Sequence, residues 1–396
     1  MNCRERVLTT LDHKEPDKVP YWEHLISTPM LTTRLGWRKP PKPDADRNFK
    51  NLLDTATSIK GLPAFGNKLM AGIFKYNKMI APFLGPFLKN YLKLHKYLKI
   101  DVTSLPLGPF PYEFVPPNKF VSPFGVLYGI KSVGGYFSTP YAGGLFKNKE
   151  DYREYTKKLD CAEPMGMLLF RKILKTTPPE ELFVVPGIYT GLFDTTWQCF
   201  GIKYFSHLLV KDKNFLKQVI HDRELYYREV IKRFMDEFPI DAFFIGDDLA
   251  YGTRPFVSPR QFNEFFLPSY KRISNMMHKR GVKLIIHTDG NILPIVDSLI
   301  EYADAIHPWQ ASAHIDIAEV KKKYGDKVTI IGNVPIRLLI DGPRSEIATY
   351  VKNLIQTCAP GGGYMLSSGN SIIPAMPWQN YITMLSTFWK HRSYKE

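Results

Sequence analysis

Residues 242–290 read AFFIGDDLAYGTRPFVSPRQFNEFFLPSYKRISNMMHKRGVKLIIHTDG, and this stretch decides the fold. It opens on one short apolar run, AFFIG, and ends just past a second, KLIIH. Each is too short for a core helix and is continuous rather than alternating, as expected of a strand covered on both faces in a parallel sheet. Between them Ser258 and Pro259 signal a helix start, a serine at the cap followed by proline at the first helical position. Strand, helix, strand is one crossover unit of a parallel sheet.

The unit recurs outward in both directions. Val19–Trp22, Asp101–Leu105 and Phe183–Gly187 precede Ala242–Gly246 and Lys283–His287; Ala305–His307, Val328–Gly332 and Tyr364–Ser367 follow. Amphipathic segments separate them, one from Asp316 to Tyr324 closed by Gly325, another from Ser345 to Cys358 closed by Pro360 and three glycines. Eight such strands predict an α/β fold, a TIM (β/α)8 barrel spanning residues 1–396 as a single domain with N-terminal helical and loop insertions. The insertions fall at about residues 39–99 and 108–146. Within the first, residues 62–99 are rich in Lys, Tyr, Leu and Phe, a pattern expected of a helical lid over the barrel mouth or of an amphipathic docking arm. The second, rich in Pro, Gly and Tyr, reads as a β-hairpin or loop insertion.

Composition narrows the function classes. Hydrophobic residues make up 44% of the 396 and charged residues 23%, the balance of a packed globular chain. Cys3, Cys161, Cys199 and Cys358 are scattered without a CxxC pair, so a disulfide framework is not expected and a reducing, cytoplasmic setting is. No apolar leader and no transmembrane segment are read from the sequence. The net charge of +15 is spread over many lysines without a nucleic-acid-binding motif, so no nucleic-acid partner is expected.

In a barrel of this kind chemistry gathers where the strands end at their C-termini. Those ends carry Glu23 and His24; Asp247 and Asp248; His287, Asp289 and Asn291; His307 and Trp309; Asn333; and Ser367, Ser368 and Asn370. Imidazoles and carboxylates from distant segments converging on one mouth suit proton exchange or metal binding. The expected catalytic residues are Asp247, Asp248, His287 and Asp289, with His287, Asp289 and Asp247 as ligands of a divalent metal, zinc among the candidates. His-x-Asp at a strand end puts His287 and Asp289 on one face. Glu23, His24, Tyr189, Tyr251, His307, Trp309, Asn333, Ser368 and Asn370 are the expected substrate-binding set.

RERVLTTLDHKEPDKVPYWE (4–23), the stretch from Gly246 to Ile292, DIAEVKKKYGDKVTIIGNVPIRLLIDG (316–342) and APGGGYMLSSGNSI (359–372) together resemble uroporphyrinogen-decarboxylase-like proteins. The resemblance is strongest from about 240 to 385 and implies a TIM barrel with a deep cleft. It also implies one of two activities, uroporphyrinogen decarboxylation in porphyrin biosynthesis or cobamide-dependent methyl transfer of the methylcobamide:coenzyme M type. The arginine clamp of the decarboxylases is absent; Glu23, His24, Leu25, Ile26 and Ser27 stand in its place. The His-x-Cys zinc motif of the methyltransferases is met by His287 but carries Asp289 in place of the cysteine, and Ser367 or Ser368 stands near the second cysteine. With oxygen in place of two thiolates, a methoxy or methylamine donor, or a non-thiol acceptor, becomes as good a candidate as coenzyme M. The expected function is corrinoid-dependent methyl transfer involving a small molecule, with the cobamide supplied by a separate corrinoid protein, and a homodimer as one assembly. A carboxy-lyase is the alternative enzyme, with Arg254 and Arg337 available to it, and a non-catalytic barrel docking a corrinoid protein is the alternative from another class.

Overall fold

The computed structural model describes residues 1–24, 26, 92–106, 113–115, 118–133, 136–156 and 164–394. Eight strands form one parallel sheet in chain order: β1 (Trp22–Glu23), β2 (Val102–Pro106), β3 (Phe183–Ile188), β4 (Ala242–Gly246), β5 (Lys283–His287), β6 (Ala305–His307), β7 (Thr329–Ile331) and β8 (Tyr364–Met365). The N–H of Trp22 donates to Leu366 O (2.9 Å) and the N–H of Leu366 to Pro20 O (3.1 Å), which brings the last strand back to the first. The architecture is a TIM barrel, and each of the eight strands overlaps a run expected from the sequence.

Alternation along the strands divides the apolar residues between two cores. Trp22, Val102, Phe183, Val185, Ala242, Phe244, Ile285, Ala305, Ile331 and Met365 pack inside the barrel. Their neighbours Phe243, Ile245, Leu284, Ile286, Ile306, Ile330 and Tyr364 join the outer cluster with the surrounding helices. Helix α1 (Cys3–Leu11) plugs the N-terminal end, with Val7 and Leu11 joining the inner cluster. Each such buried side chain contributes roughly 1.5–3 kcal/mol relative to exposure. The plug is fastened to residues just ahead of the strands: the N–H of Cys3 donates to Glu180 O, and Arg4 forms a two-pronged pair with Asp241 (2.8 and 2.6 Å).

The helix signals hold. Ser258 and Gln261 form a reciprocal capping box with Pro259 at the first position. Asp316 caps Ile317–Tyr324 by accepting from Ala318 N (2.9 Å) and Glu319 N (3.4 Å). Gly325 ends that helix for a different reason from the left-handed turn usual there. Its φ is −68°, but a Cβ would lie 2.6 Å from Lys321 O, so close backbone approach is what excludes a side chain.

Most of the 39–99 insertion lies outside the described residues; 92–97 are helical, with Leu92, Leu94 and Leu98 buried. The lid or docking role of 62–99 therefore falls largely outside them as well. The second insertion is a four-stranded antiparallel sheet (Glu113–Val115, Lys119–Val121, Val126–Gly129, Tyr141–Gly144) with a ribbon of Lys131–Val133 and Tyr136–Ser138. Among the described residues, no helix is long and apolar enough to cross a membrane.

Candidate active site

Continuing the inward alternation past the apolar layer changes its chemistry. Two residues beyond Trp22 comes His24; beyond Val102, Ser104; beyond Phe244, Gly246 and then Asp248; beyond Ile285, His287 and then Asp289; beyond Ala305, His307; beyond Met365, Ser367. The three imidazoles stack, His24 on His287 with ring centroids 4.7 Å apart and planes 4° from parallel, and His287 near His307 at 4.9 Å. His287 Nδ1 and His307 Nδ1 are 2.6 Å apart, so one carries the hydrogen and the other accepts it. His307 Nε2 meets Ser367 Oγ at 3.2 Å, and His24 Nδ1 meets Ser104 Oγ at 3.1 Å, which in turn meets the Tyr189 hydroxyl at 2.8 Å. Burial, reinforced by the neighbouring His287, holds both His24 and His307 far below the usual histidine range, so both are neutral.

The other edge of His287 faces acids. Its Nε2 lies 3.8 Å from Asp289 Oδ1 and 4.0 Å from Asp248 Oδ1. Asp248 Oδ1 accepts from the Asp289 N–H (3.1 Å), and Asn370 Nδ2 donates to both Asp289 oxygens (3.1 and 2.8 Å). Burial raises the Asp289 carboxyl, with Asp248 adding to the rise and His287 opposing it. Among the described residues, two groups of ligand atoms lie within 4.8 Å of one another: His24 with His287 and His307, and Asp248 with His287 and Asp289.

These residues floor two adjoining cavities. An inner one of about 80 Å³ is lined by His24, Tyr189, Asp194, Asp248 and His287 among others. An outer one of about 460 Å³ is lined by Asp194, Trp197, Asp248, Tyr251, Phe256 and Asp289 among others. Asp194 and Asp248 line both and mark the junction.

Alternation also removes residues from the site. Asp247, expected among the metal ligands, points outward. Its carboxylate accepts from the N–H groups of Phe193 and Asp194 (2.8 Å each) and from the Tyr270 hydroxyl. Those amides open helix α2 (Leu192–Gln198), whose cap position is Gly191 and has no side chain to offer. A Cβ on Gly191 would sit 2.4 Å from Asp247 Cβ, so the glycine makes room for a cap supplied by the neighbouring strand. Burial pushes the Asp247 carboxyl up to about 7. Asp248 takes the place among the ligand atoms.

Glu23 likewise points outward, accepting from Tyr21, from Tyr381 (3.0 Å), from Ser368 Oγ (2.7 Å) and from the His24 N–H (3.2 Å). It ties β1 to the last helix, Trp378–His391, and burial raises it to about 7. Ser368 is thereby spent on Glu23 and not on the cavity. Trp309, expected in the pocket, is 1% exposed and packs on Tyr324 (6.5 Å) within the outer core. Asn333 donates to Trp309 O (2.7 Å) and so holds the turn after β6. Tyr189 lines the inner cavity, and Tyr251, 78% exposed, the outer.

Asp194 was not anticipated. It lies six residues past β3 on the first turn of α2 and accepts from Asp248 N (3.0 Å), Trp197 Nε1 (3.2 Å) and Gln198 Nε2 (3.2 Å). Burial, then Asp247 and Asp248, hold its carboxyl well above the usual range. Ser104 was also missed, although it follows Val102 by the same two-residue step that leads from Trp22 to His24.

The family model for uroporphyrinogen decarboxylase (URO-D) matches residues 147–391. The chain belongs to the URO-D family. A curated relative, "Uroporphyrinogen decarboxylase" of Pseudoalteromonas translucida (strain TAC 125), is 29% identical over 135 residues, covering 31% of this chain. The match spans about a third of that relative's own length, 35%. A solved methyltransferase from Methanosarcina mazei superposes with a TM-score of 0.65 at 17% identity, covering 98% of this chain and 99% of that one, which speaks to the fold. In this URO-D family member the described lining of both cavities contains three carboxylates and neither lysine nor arginine. Arg254 is exposed on the Ala250–Pro255 ribbon, and Arg337, with its side chain 88% exposed, pairs with Asp341.

Proposed function

We propose that this chain moves a methyl group between a small molecule and a corrinoid carried on a separate protein, with Asp248, His287 and Asp289 holding a divalent ion at the junction of the two cavities. The observation that carries the reading is the state of His287. Its Nδ1 is engaged by His307, while its Nε2 has no hydrogen-bond partner among the described residues and faces two carboxylate oxygens at 3.8 and 4.0 Å. A metal-bound histidine is oriented in this way, one nitrogen fixed by a second residue and the other left for the ion. Ions with bonds of about 2.1 Å set tetrahedral ligands about 3.4 Å apart, so a small inward movement of the carboxylates suffices. One nitrogen and two oxygens suit zinc, iron or manganese.

The ion would supply Lewis acidity to the heteroatom that bears or receives the methyl group. The chain's own residues do the rest. His307 orients His287, and His24 stacks beside it; both stay neutral, so neither adds positive charge next to the ligands. Asn370 fixes Asp289, and the Asp289 N–H steadies Asp248. Tyr189, hydrogen-bonded to Ser104, lines the inner cavity.

Decarboxylation of a carboxylated macrocycle, the activity in the curated relative's name, fits this lining poorly. Among the described residues no guanidinium lines either cavity as a two-pronged anchor for substrate carboxylates, and the charged groups that do line them include the acids Asp194, Asp248 and Asp289.

The test is a methyl-transfer assay with cob(I)alamin and methylcob(III)alamin against a panel of donors and acceptors, followed by corrinoid absorbance. Turnover with at least one partner is expected. No turnover with any, alongside measurable decarboxylation, reverses the reading. Metal analysis gives the second arm: bound metal near one per chain is expected, lost in His287→Ala, and metal retained in that variant rejects the ligand set.

A further inference from the structure

The outer cavity combines two features that the methyl-transfer reading does not by itself explain. One wall is aromatic. Trp197 and Phe256 stack with ring centroids 5.7 Å apart and planes at 27°, and Tyr251 continues the wall 6.1 Å beyond Phe256. The indole is held by its Nε1 donating to Asp194 Oδ1 at 3.2 Å. The rest of the described lining carries Asp194, Asp248 and Asp289, with no Lys, Arg or His.

Ring faces present negative potential, and carboxylates add formal charge near it. An anion is repelled by both, and a neutral ligand gains only apolar contact. A cation gains from both, and most when its charge is spread over methyl groups, because such a cation is weakly hydrated and presents an apolar shell to the rings. Even with Asp248 and Asp289 committed to an ion, the ring wall remains, and a bound cation would favour the charged form of the Asp194 carboxyl, which burial and its acidic neighbours oppose. The volume of about 460 Å³ is in the range that takes a small organic molecule rather than a methylammonium group alone.

We propose that the outer cavity binds a methylated ammonium group, quaternary or protonated tertiary, borne on a small uncharged substituent. That this ligand is the methyl donor rests on the methyl-transfer reading; the binding does not. For a quaternary donor the chemistry closes without a proton and without Lewis acidity at the donor nitrogen, which has no lone pair to offer an ion until the methyl has left. The nitrogen–methyl bond breaks with its electron pair left on nitrogen, which departs as a neutral amine, and the methyl passes to the nucleophile of the corrinoid partner. A zwitterion such as a betaine is disfavoured, because its carboxylate meets the same acids.

The experiment is calorimetric titration of the full chain at constant ionic strength with choline, its uncharged isostere 3,3-dimethyl-1-butanol, and glycine betaine. Choline is expected to bind at least about tenfold more tightly than the isostere, and more tightly than the betaine. Trp197→Leu is expected to remove most of that preference; Phe256→Leu, at a more exposed ring, to reduce it; and Asp194→Asn, which keeps an acceptor for the Asp248 N–H, to reduce it as well. Equal affinity for choline and isostere, or no binding of choline, overturns the proposal. Methyl transfer from a methoxy donor together with no choline binding overturns this inference alone. Choline binding without corrinoid turnover from any donor supports the site and overturns the methyl-transfer reading alone.

Discussion

At the N-terminal ends of the strands Asp101 accepts from Arg6 (2.6 Å), Arg392 (2.9 Å) and the Tyr21 N–H (2.9 Å), and Arg6 also grips Asp17 through two bonds of 2.8 Å. At the C-terminal ends like groups crowd together: three imidazoles stack, and Asp194, Asp247 and Asp248 come close enough for burial and mutual repulsion to raise the first two. The lower network satisfies its buried charges with opposite partners and joins both chain termini to the barrel floor. The upper cluster leaves a histidine nitrogen without a hydrogen-bond partner among the described residues, facing a cavity. Neutralised charge marks the end that holds the barrel together, and strained charge marks the end available for chemistry.

The contrast predicts different failures at the two ends. Asp101→Ala takes the carboxylate partner from the buried Arg392 guanidinium and leaves Arg6 with Asp17 alone, and is expected to lower unfolding stability by about 3–5 kcal/mol in denaturant titration. A loss under about 1 kcal/mol would mean that the lower network is not what fastens the floor. His307→Ala removes the group that orients His287, so metal affinity is expected to fall about 10–100-fold in competition with a chelator while the unfolding transition remains cooperative. Unchanged affinity would detach His307 from the site. Asp247→Asn keeps one acceptor but turns a donor toward the amides of α2; it is expected to cost about 0.5–2 kcal/mol of stability and to leave metal content unchanged. Loss of metal in that variant would return Asp247 to the site and blur the division.

The smallest effect concerns acid. Burial works to raise Asp17, but the Arg6 bonds and the N-terminal ammonium prevail and hold it at about 2, against roughly 3.9 in an unfolded chain. A depressed carboxyl stabilises the fold above its unfolded value and loses that contribution as pH falls toward the folded one. The stability difference between the protein and Asp17→Asn is therefore expected to be constant above about pH 4 and to shrink toward pH 2. A difference that does not change over that interval would remove Asp17 from the lower network.

Much of this was legible in the amino-acid order. Strands covered on both faces must be continuously apolar, so AFFIG, KLIIH and their counterparts stand out, and their C-terminal ends point to His24, His287, Asp289 and His307 without any structure. Packing decided the rest. Asp247 and Asp248 are neighbours of identical chemistry, and only the pairing of β4 with β5 sends one out to cap a helix and the other in beside His287. Asp194 gains its role because α2 swings back over the barrel mouth, and Trp309 loses its expected one because the turn after β6 buries it. Alternation along a strand is a local property written in the chain, whereas which face meets a helix, a cavity or another carboxylate depends on residues far away in sequence.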